Sequence, residues 1–258
     1  MKHKIYKTRS LKQRYMQKLN YNQAKIVGFD LEVFQAAKVA VIGAGAIGSH
    51  VCLGLVRKGI GVLDIFDDDV VEAQNLTRQL FSSKDLRKNK AVRLAKLLVK
   101  HGFFKTSITG YPYRFQEALE MGFDFSQYNI ILTLVDNNPT RIAAAKYCLQ
   151  EKIPLVTSAV SRDGNQLYCA IQKPGKACFG CIQPNAVNDN SYPCDLPGII
   201  DVIMVVAGFT VFALDTIILE RHQEWNYRSI TLDGFMPDAG IIVPQNENCQ
   251  ICGQRRQQ

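Results

Sequence analysis

The sequence predicts an α/β protein built on a doubly wound, mostly parallel sheet with an antiparallel extension and a zinc-braced C-terminal part. Three observations carry this reading. A β-branched run at 37–42 leads into Gly43-Ala44-Gly45-Ala46-Ile47-Gly48, then a helical pattern to Lys58 and a second apolar run at 60–66. A right-handed crossover makes those two strands parallel, and apolar runs keep alternating with helical patterns as far as residue 159. Finally, Cys178-Phe-Gly-Cys181 and Cys249-Gln-Ile-Cys252 form two CxxC knuckles far apart in one chain.

Each element follows in order. The first eighteen residues carry Lys2, Lys4, Lys7, Arg9, Lys12, Arg14 and Lys18 and no acid. They lack the apolar run of a secretory signal. Leu11 and Tyr15 sit at helical spacing, so residues 1–36 read as a basic, helical arm. Residues 89–101 are helical, with Val92, Leu94, Ala95, Leu97 and Leu98 on the apolar side. A strand is expected at 107–113, and a buried strand at 129–135 ends on Asp136-Asn137-Asn138-Pro139. A helix at 140–152, strands at 154–159 and 164–172, and a polar crossing loop at 183–197 come next. An apolar helix at 199–219 and a strand near 228–232 precede the tail with the second knuckle. No repeat and no linker divides the chain, so residues 1–258 read as one domain.

Composition narrows the classes. The 258 residues are 47% hydrophobic and 21% charged, as in an ordinary globular protein. A net charge of +8 suits an acidic partner protein, a polyphosphate such as ATP, or nucleic acid. Eight cysteines with no signal sequence point to a reducing, cytoplasmic setting. The apolar stretch at 199–219 is interrupted by Asp201 and Asp215. Each acid would cost roughly 2.5–3.5 kcal/mol at a bilayer centre, so the stretch is read as a buried helix and no membrane is expected.

The glycine run is a Rossmann-like fingerprint. Gly43 permits a tight turn, Gly45 lets backbone approach phosphate, and Gly48 lets helix and strand pack closely. Asp67 closes the next strand, where a ribose hydroxyl would sit. Downstream of a second acid, Asp69, come Asn75, Arg78 and Lys90, an amide, a guanidinium and an ammonium that suit a triphosphate better than a nicotinamide. No GxxxxGK[ST] loop is present, which excludes a P-loop nucleotidase. Two thiolates at CxxC spacing grip one face of Zn²⁺, and the second pair completes a closed tetrahedron. Cys178, Cys181, Cys249 and Cys252 therefore read as a structural zinc site.

Asp67-x-Asp69-x-Val71-Glu72-x-x-Asn75-Leu76-x-Arg78-Gln79 resembles the signature of the ThiF/MoeB/HesA superfamily. That group includes ubiquitin-activating enzymes and the adenylyltransferases of thiamine and molybdopterin biosynthesis. The likeness runs from about Ala37 to Gly253 and takes in the glycine loop, Lys90-Ala91, Thr133-x-x-Asp136-Asn137-x-x-x-Arg141, 153–156 and both knuckles. It implies a single ThiF-type adenylation domain: residues 37–160 hold nucleotide, and residues 161–258 hold zinc and a carrier protein. It further implies that the C-terminal carboxylate of a small ubiquitin-like or sulfur-carrier β-grasp protein ending in Gly-Gly attacks the α-phosphate of ATP. By position, Asp67 would hold the ribose, with Asn75, Arg78 and Lys90 on the phosphates. Asp136 would bind Mg²⁺, and Asp69 would support the loop or the metal. Cys194 stands where some members carry an acyl-accepting thiol and others a spectator.

One departure is visible. Family members open with R-Y-x-R, whose second arginine enters the partner subunit's site in a homodimer. Here Arg14-Tyr15-Met16-Gln17 has glutamine at that place, followed by Lys18. Arg14 or Lys18 replaces the cation, or the contribution is absent. Two lesser readings follow: a tRNA-modifying relative using the same ATP site, to which a basic arm would suit, and a silent zinc-braced scaffold paired with an active homologue.

Overall fold

The structure is a computed structural model and describes residues 3–23, 29–161, 164, 166–187, 199–231 and 239–253. In chain order its elements are β1 (Ile5–Lys7), α1 (Gln13–Gln23), α2 (Leu31–Ala36), β2 (Lys38–Ile42), α3 (Ala46–Lys58), β3 (Val62–Phe66), α4 (Lys90–Leu98), β4 (Ser107–Tyr111), α5 (Phe115–Glu120), β5 (Ile130–Thr133), α6 (Asn138–Gln150), β6 (Leu155–Val160), β7 (Gln166–Gln172), α7 (Phe179–Ile182), α8 (Pro184–Val187), α9 (Ile200–Ile218), β8 (Tyr227–Thr231) and β9 (Ala239–Ile241). The nine strands make one sheet in the order β1-β4-β3-β2-β5-β6-β7-β8-β9. The five central strands from β4 to β6 are parallel. Antiparallel β7, β8 and β9 extend one side, as the sequence predicts.

The arm departs from expectation. It begins with a strand, β1, that runs antiparallel to β4, Ile5 opposite Thr109 and Lys7 opposite Ser107. Helical spacing at Leu11 and Tyr15 gave no hint of it, because a three-residue edge strand takes its shape from the ladder it joins. The helix comes later, as α1.

The parallel strands are buried on both faces and read as near-continuous apolar runs. One core packs Val39, Val41, Leu63 and Ile65 against α3, α4 and α9. A second packs Ala40, Ile42, Phe66 and Ile131 against α5, α6 and the cysteine knuckles. α9 meets the expectation of a buried helix on one side alone. Val202, Val206, Ala207, Thr210, Ala213 and Leu214 are buried, and Thr210 Oγ1 donates to Ser158 Oγ at 2.8 Å. Ile200, Met204, Val205 and Phe212 remain exposed on the opposite face.

The chain reverses direction across the sheet at β2, whose neighbours β3 and β5 lead to opposite edges. Ligands of open α/β sheets bind beyond the carboxyl ends of the strands at such a switch point. The loops after β2, β3 and β5 carry Gly43, Asp67 and Asp136 to that crevice.

Candidate active site

The glycine loop has three distinct physical constraints. Gly43 has φ +103°, and a Cβ there would lie 2.7 Å from the Leu134 carbonyl oxygen. A Cβ on Gly48 would lie 1.9 Å from the Gly43 carbonyl oxygen. Both positions exclude any side chain because backbone occupies the space. Gly45 differs: a Cβ would meet nothing nearer than Gln79 Nε2 at 4.0 Å. The space over Gly45 is thus open, at the N-cap of a 13-residue helix that has no side-chain cap. Such an uncapped helix N-terminus offers N–H donors and a positive dipole end to an anion.

Asp67 closes β3 beside this loop. Its carboxylate accepts from Ala44 N–H at 2.6 Å and from Asp69 N–H at 2.9 Å. Burial pushes the carboxyl up to about 6, against the opposing pull of Lys90 and the Ala44 N–H. Lys90 is buried at the first turn of α4, and its Nζ lies 2.9 Å from Asp69 Oδ2. Asn89 ties the two segments together. Its Oδ1 caps α4 by accepting from Val92 N–H, while its Nδ2 donates to the Asp67 carbonyl at 2.7 Å.

Arg78 is half-buried, and its Nη1 donates to the Gln74 carbonyl at 3.2 Å. It makes no ion pair among the described residues. Nearby, burial lowers the pKa of His50 on α3. Asn75 is buried, and its Oδ1 accepts from Glu72 N–H at 3.0 Å in a capping box. Only its NH₂ is left to serve a phosphate. Asp136 is exposed beyond β5. Its loop is held by Arg141, a buried guanidinium whose Nη2 donates to the Val135 carbonyl at 2.7 Å and Nη1 to Asn138 Oδ1 at 2.9 Å.

Gly43, Gly45, Gly48, Asp67, Asp69, Asn75, Arg78 and Lys90 therefore share one end of the sheet, with Asp136 on the adjacent loop. Three supporting residues had no assigned role in the sequence: Gln79 above Gly45, Asn89 and Arg141. The signal for Asn89 was available, since Asn directly before an apolar-periodic run is an N-cap. Cys194 lies outside the described residues. Arg14 and Lys18 are exposed on α1, which leaves β1 at the end of the sheet opposite the glycine loop. Within one chain these cations are remote from the crevice.

The four knuckle cysteines converge although 71 residues separate the pairs. Cys178 Sγ lies 3.7 Å from Cys181 and 3.5 Å from Cys249, and Cys181 Sγ lies 3.4 Å from Cys252. These are neither disulfide lengths of about 2.05 Å nor random approaches. A tetrahedron with Zn–S of about 2.3 Å places its sulfurs about 3.8 Å apart, so the donor set fits Zn²⁺. Main-chain N–H groups of Asn246 and Ile251 point at Cys181 and Cys249 sulfurs, each at 3.4 Å. Such donors favour thiolate over thiol.

Comparison with known proteins agrees with this geometry. The ThiF family profile matches residues 18–251. The chain is 30% identical over 229 residues to the sulfur carrier protein ThiS adenylyltransferase of Escherichia coli K12, covering 84% of this chain and 86% of that protein. It is 30% identical to adenylyltransferase and sulfurtransferase MOCS3 of Xenopus laevis, over 82% of this chain and 49% of that one. The chain thus spans about half the length of its MOCS3 relatives. The fold superposes on the crystal structure of E. coli MccB with ATP at TM-score 0.72 and 22% identity, over 86% of this chain and 68% of that one. With glycine loop, acid, cations and knuckles in one order on one fold, the chain belongs to the ThiF family.

Proposed function

We propose that this protein adenylates the C-terminal carboxylate of a small ubiquitin-like or sulfur-carrier protein. The observation that carries the proposal is the crevice itself: an open helix N-terminus at Gly45, a desolvated Asp67, and the cations Lys90 and Arg78 on one rim. An α-phosphate on the Gly45 N-terminus is exposed to in-line attack. A carboxylate oxygen forms a bond to phosphorus, the bond to the β-phosphate oxygen breaks, and pyrophosphate leaves. Asp67 accepts the ribose hydroxyls. Lys90 and Arg78 neutralise charge on the leaving pyrophosphate, which is the main electrostatic demand of phosphoryl chemistry. Asp136 is the carboxylate that would hold Mg²⁺, which supplies charge neutralisation on the phosphates.

The likeness to a sulfur carrier protein ThiS adenylyltransferase supports a carrier-protein substrate. Residues 161–258 would receive the carrier, and zinc would brace that half of the fold. The exposed apolar side of α9 supports a homodimer, in which Arg14 or Lys18 of one copy enters the other's crevice. The seven described cysteines are free, which suits a reducing, cytoplasmic setting. Acyl transfer to the Cys194 thiol is the finer step of the proposal, and it follows adenylation.

The test is carrier-dependent exchange of pyrophosphate into ATP, run against a panel of Gly-Gly-terminated β-grasp proteins. One carrier should support exchange, and Asp136→Ala should reduce it at least about 100-fold with the melting temperature unchanged. Cys194→Ala should leave exchange intact and block transfer beyond the adenylate. No exchange with any carrier and no ATP binding in the presence of magnesium would sink the proposal.

A further inference from the structure

Charge is divided unevenly over this molecule. Residues 1–29 contain eight Lys and Arg and no acid, and residues 86–116 contain another eight and again no acid. Sixteen of the 31 cations thus fall in these two segments, with none of the 23 acids, and the remaining chain carries −8. The fold staples residues 5–11 of the first to residues 103–109 of the second. β1 pairs with β4, Thr8 N–H donates to the Thr106 carbonyl at 3.1 Å, and Leu11 N–H donates to the Phe103 carbonyl at 3.2 Å. Lys4, Lys7, Arg9, Lys12, Lys96, Lys100 and Lys105 are all exposed on the resulting edge. The positive field is felt locally: after burial, Arg57 and Lys100 are what lower the pKa of His101. Lysines on an edge strand guard against edge-to-edge pairing. That accounts for Lys4 and Lys7; on α4, Lys90 pairs with Asp69 and Arg93 with Asp85, which leaves Lys96 and, just beyond the helix, Lys100 without such a role.

A second feature lies on the same edge. His3, Lys4, Tyr6, Val92, Gly110, Pro112 and Tyr113 line an open recess of about 350 Å³. His3 lies 4.7 Å from the Tyr111 ring and 5.6 Å from that of Tyr113, and Lys4 sits over the Tyr6 ring at 5.4 Å. Aromatic rings set among cations are the platform on which single-stranded nucleic acid stacks its bases, while the cations follow its backbone. The recess is also close to the nucleotide crevice, because the Tyr111 carbonyl accepts from Asp67 N–H at 3.1 Å.

We propose that the β1–β4–α4 edge binds single-stranded nucleic acid, with a base seated in the recess of His3, Tyr6 and Tyr113 and phosphates on Lys4, Lys7, Arg9, Lys96 and Lys100. This surface is separate from residues 161–258, and its binding does not depend on the adenylation reading.

The probe is a fluorescein-labelled oligouridylate of about 12 nucleotides, titrated by anisotropy into the full chain at several salt concentrations. With about five phosphates engaged, log affinity should fall against log salt with a slope near −3.5. K7E/R9E should weaken binding about tenfold or more and flatten the slope by about 1.4. Tyr6→Leu, which keeps apolar bulk beneath β1, should weaken RNA binding by about fivefold or more. It should leave binding of labelled poly-glutamate unchanged. The proposal is overturned if RNA binds no better than to K7E/R9E. It is equally overturned if poly-glutamate binds as tightly as RNA and Tyr6→Leu changes neither, which would assign the edge to an acidic protein. Pyrophosphate exchange by K7E/R9E, measured alongside, reports on the adenylation reading alone.

Discussion

Asp67 shows how a single residue combines instability with chemistry. Its carboxyl is raised from 3.8 to about 6, chiefly by burial. A group shifted this way adds stability below its unfolded pKa, and that stability is lost as pH rises through about 6. At neutral pH the half-buried charge therefore opposes folding, and two ribose hydroxyls are suited to relieve it. Asp67→Asn removes the charge and keeps one acceptor for the Ala44 N–H. We expect it to hold or raise stability at pH 7.5, by up to about 2 kcal/mol, while weakening adenosine binding at least about tenfold. Adenosine is the apt ligand because it has a ribose and no phosphate that titrates nearby. In the native protein its affinity should drop as pH falls through about 6. Lys90 lowers the Asp67 pKa, so Lys90→Met should move that drop to higher pH; an unmoved midpoint, measured by calorimetry, would detach Asp67 from the ribose. At this scale the sequence was informative where spacing fixes position. The glycines, Asp67, Arg78 and Lys90 meet because one strand, one helix and one turn set their separations. It placed Asn75 at the site but missed that its oxygen goes to Glu72, since capping depends on a turn geometry that residue order alone leaves open.

The glycine-loop element separates folding from binding within six residues. Gly43→Ala forces a left-handed φ and a clash with Leu134 backbone, and Gly48→Ala places a methyl 1.9 Å from a carbonyl oxygen. Both should destabilise the protein by about 1–3 kcal/mol or more, because backbone cannot yield as a side chain can. Gly45→Ala meets open space at an ordinary φ of −74°. It should leave the melting temperature within a degree or two of the parent while lowering ATP affinity about tenfold or more, since its methyl occupies the phosphate's approach. If Gly45→Ala binds ATP normally, the phosphates lie elsewhere. Long buried elements such as β2, α3, β3, β5 and α6 were legible because a central strand and a packed helix each impose a period on many residues. β1, α5 and β9 were not. Each is three to six residues long, too short to show a period, and β1 and β9 borrow their conformation from β4 and β8.

Across the whole molecule, the knuckles join the chain's tail to its middle. α7 places Cys178 and Cys181 beneath the second core, and the last described residues return to complete the set, with Ile251 packed against Gly180 at 2.9 Å from the Cβ it lacks. Four thiols buried at 3.4–3.7 Å spacing have no hydrophobic reason to converge. Burial raises the Cys178 pKa well above its ordinary value, so deprotonation there calls for a cation. The sequence foretold this constellation from spacing alone, because ligand geometry is local at each CxxC and a metal held by both pairs would supply the long-range restraint. Structural zinc in small knuckle peptides binds with roughly 10–16 kcal/mol at neutral pH, comparable to the net stability of a whole domain. The expected outcome is one zinc per chain by atomic emission, released by a mercurial and captured by a chromogenic chelator. C249S/C252S should lose the zinc and lower the melting temperature by about 5 °C or more. Adenosine affinity at the remote crevice, measured below the new melting point, should change little, because the site is closed and no knuckle residue borders the glycine loop. A variant that kept its melting temperature without zinc would reduce the cluster to four idle thiols. A variant that stayed folded yet lost adenosine binding would make the metal part of the nucleotide site.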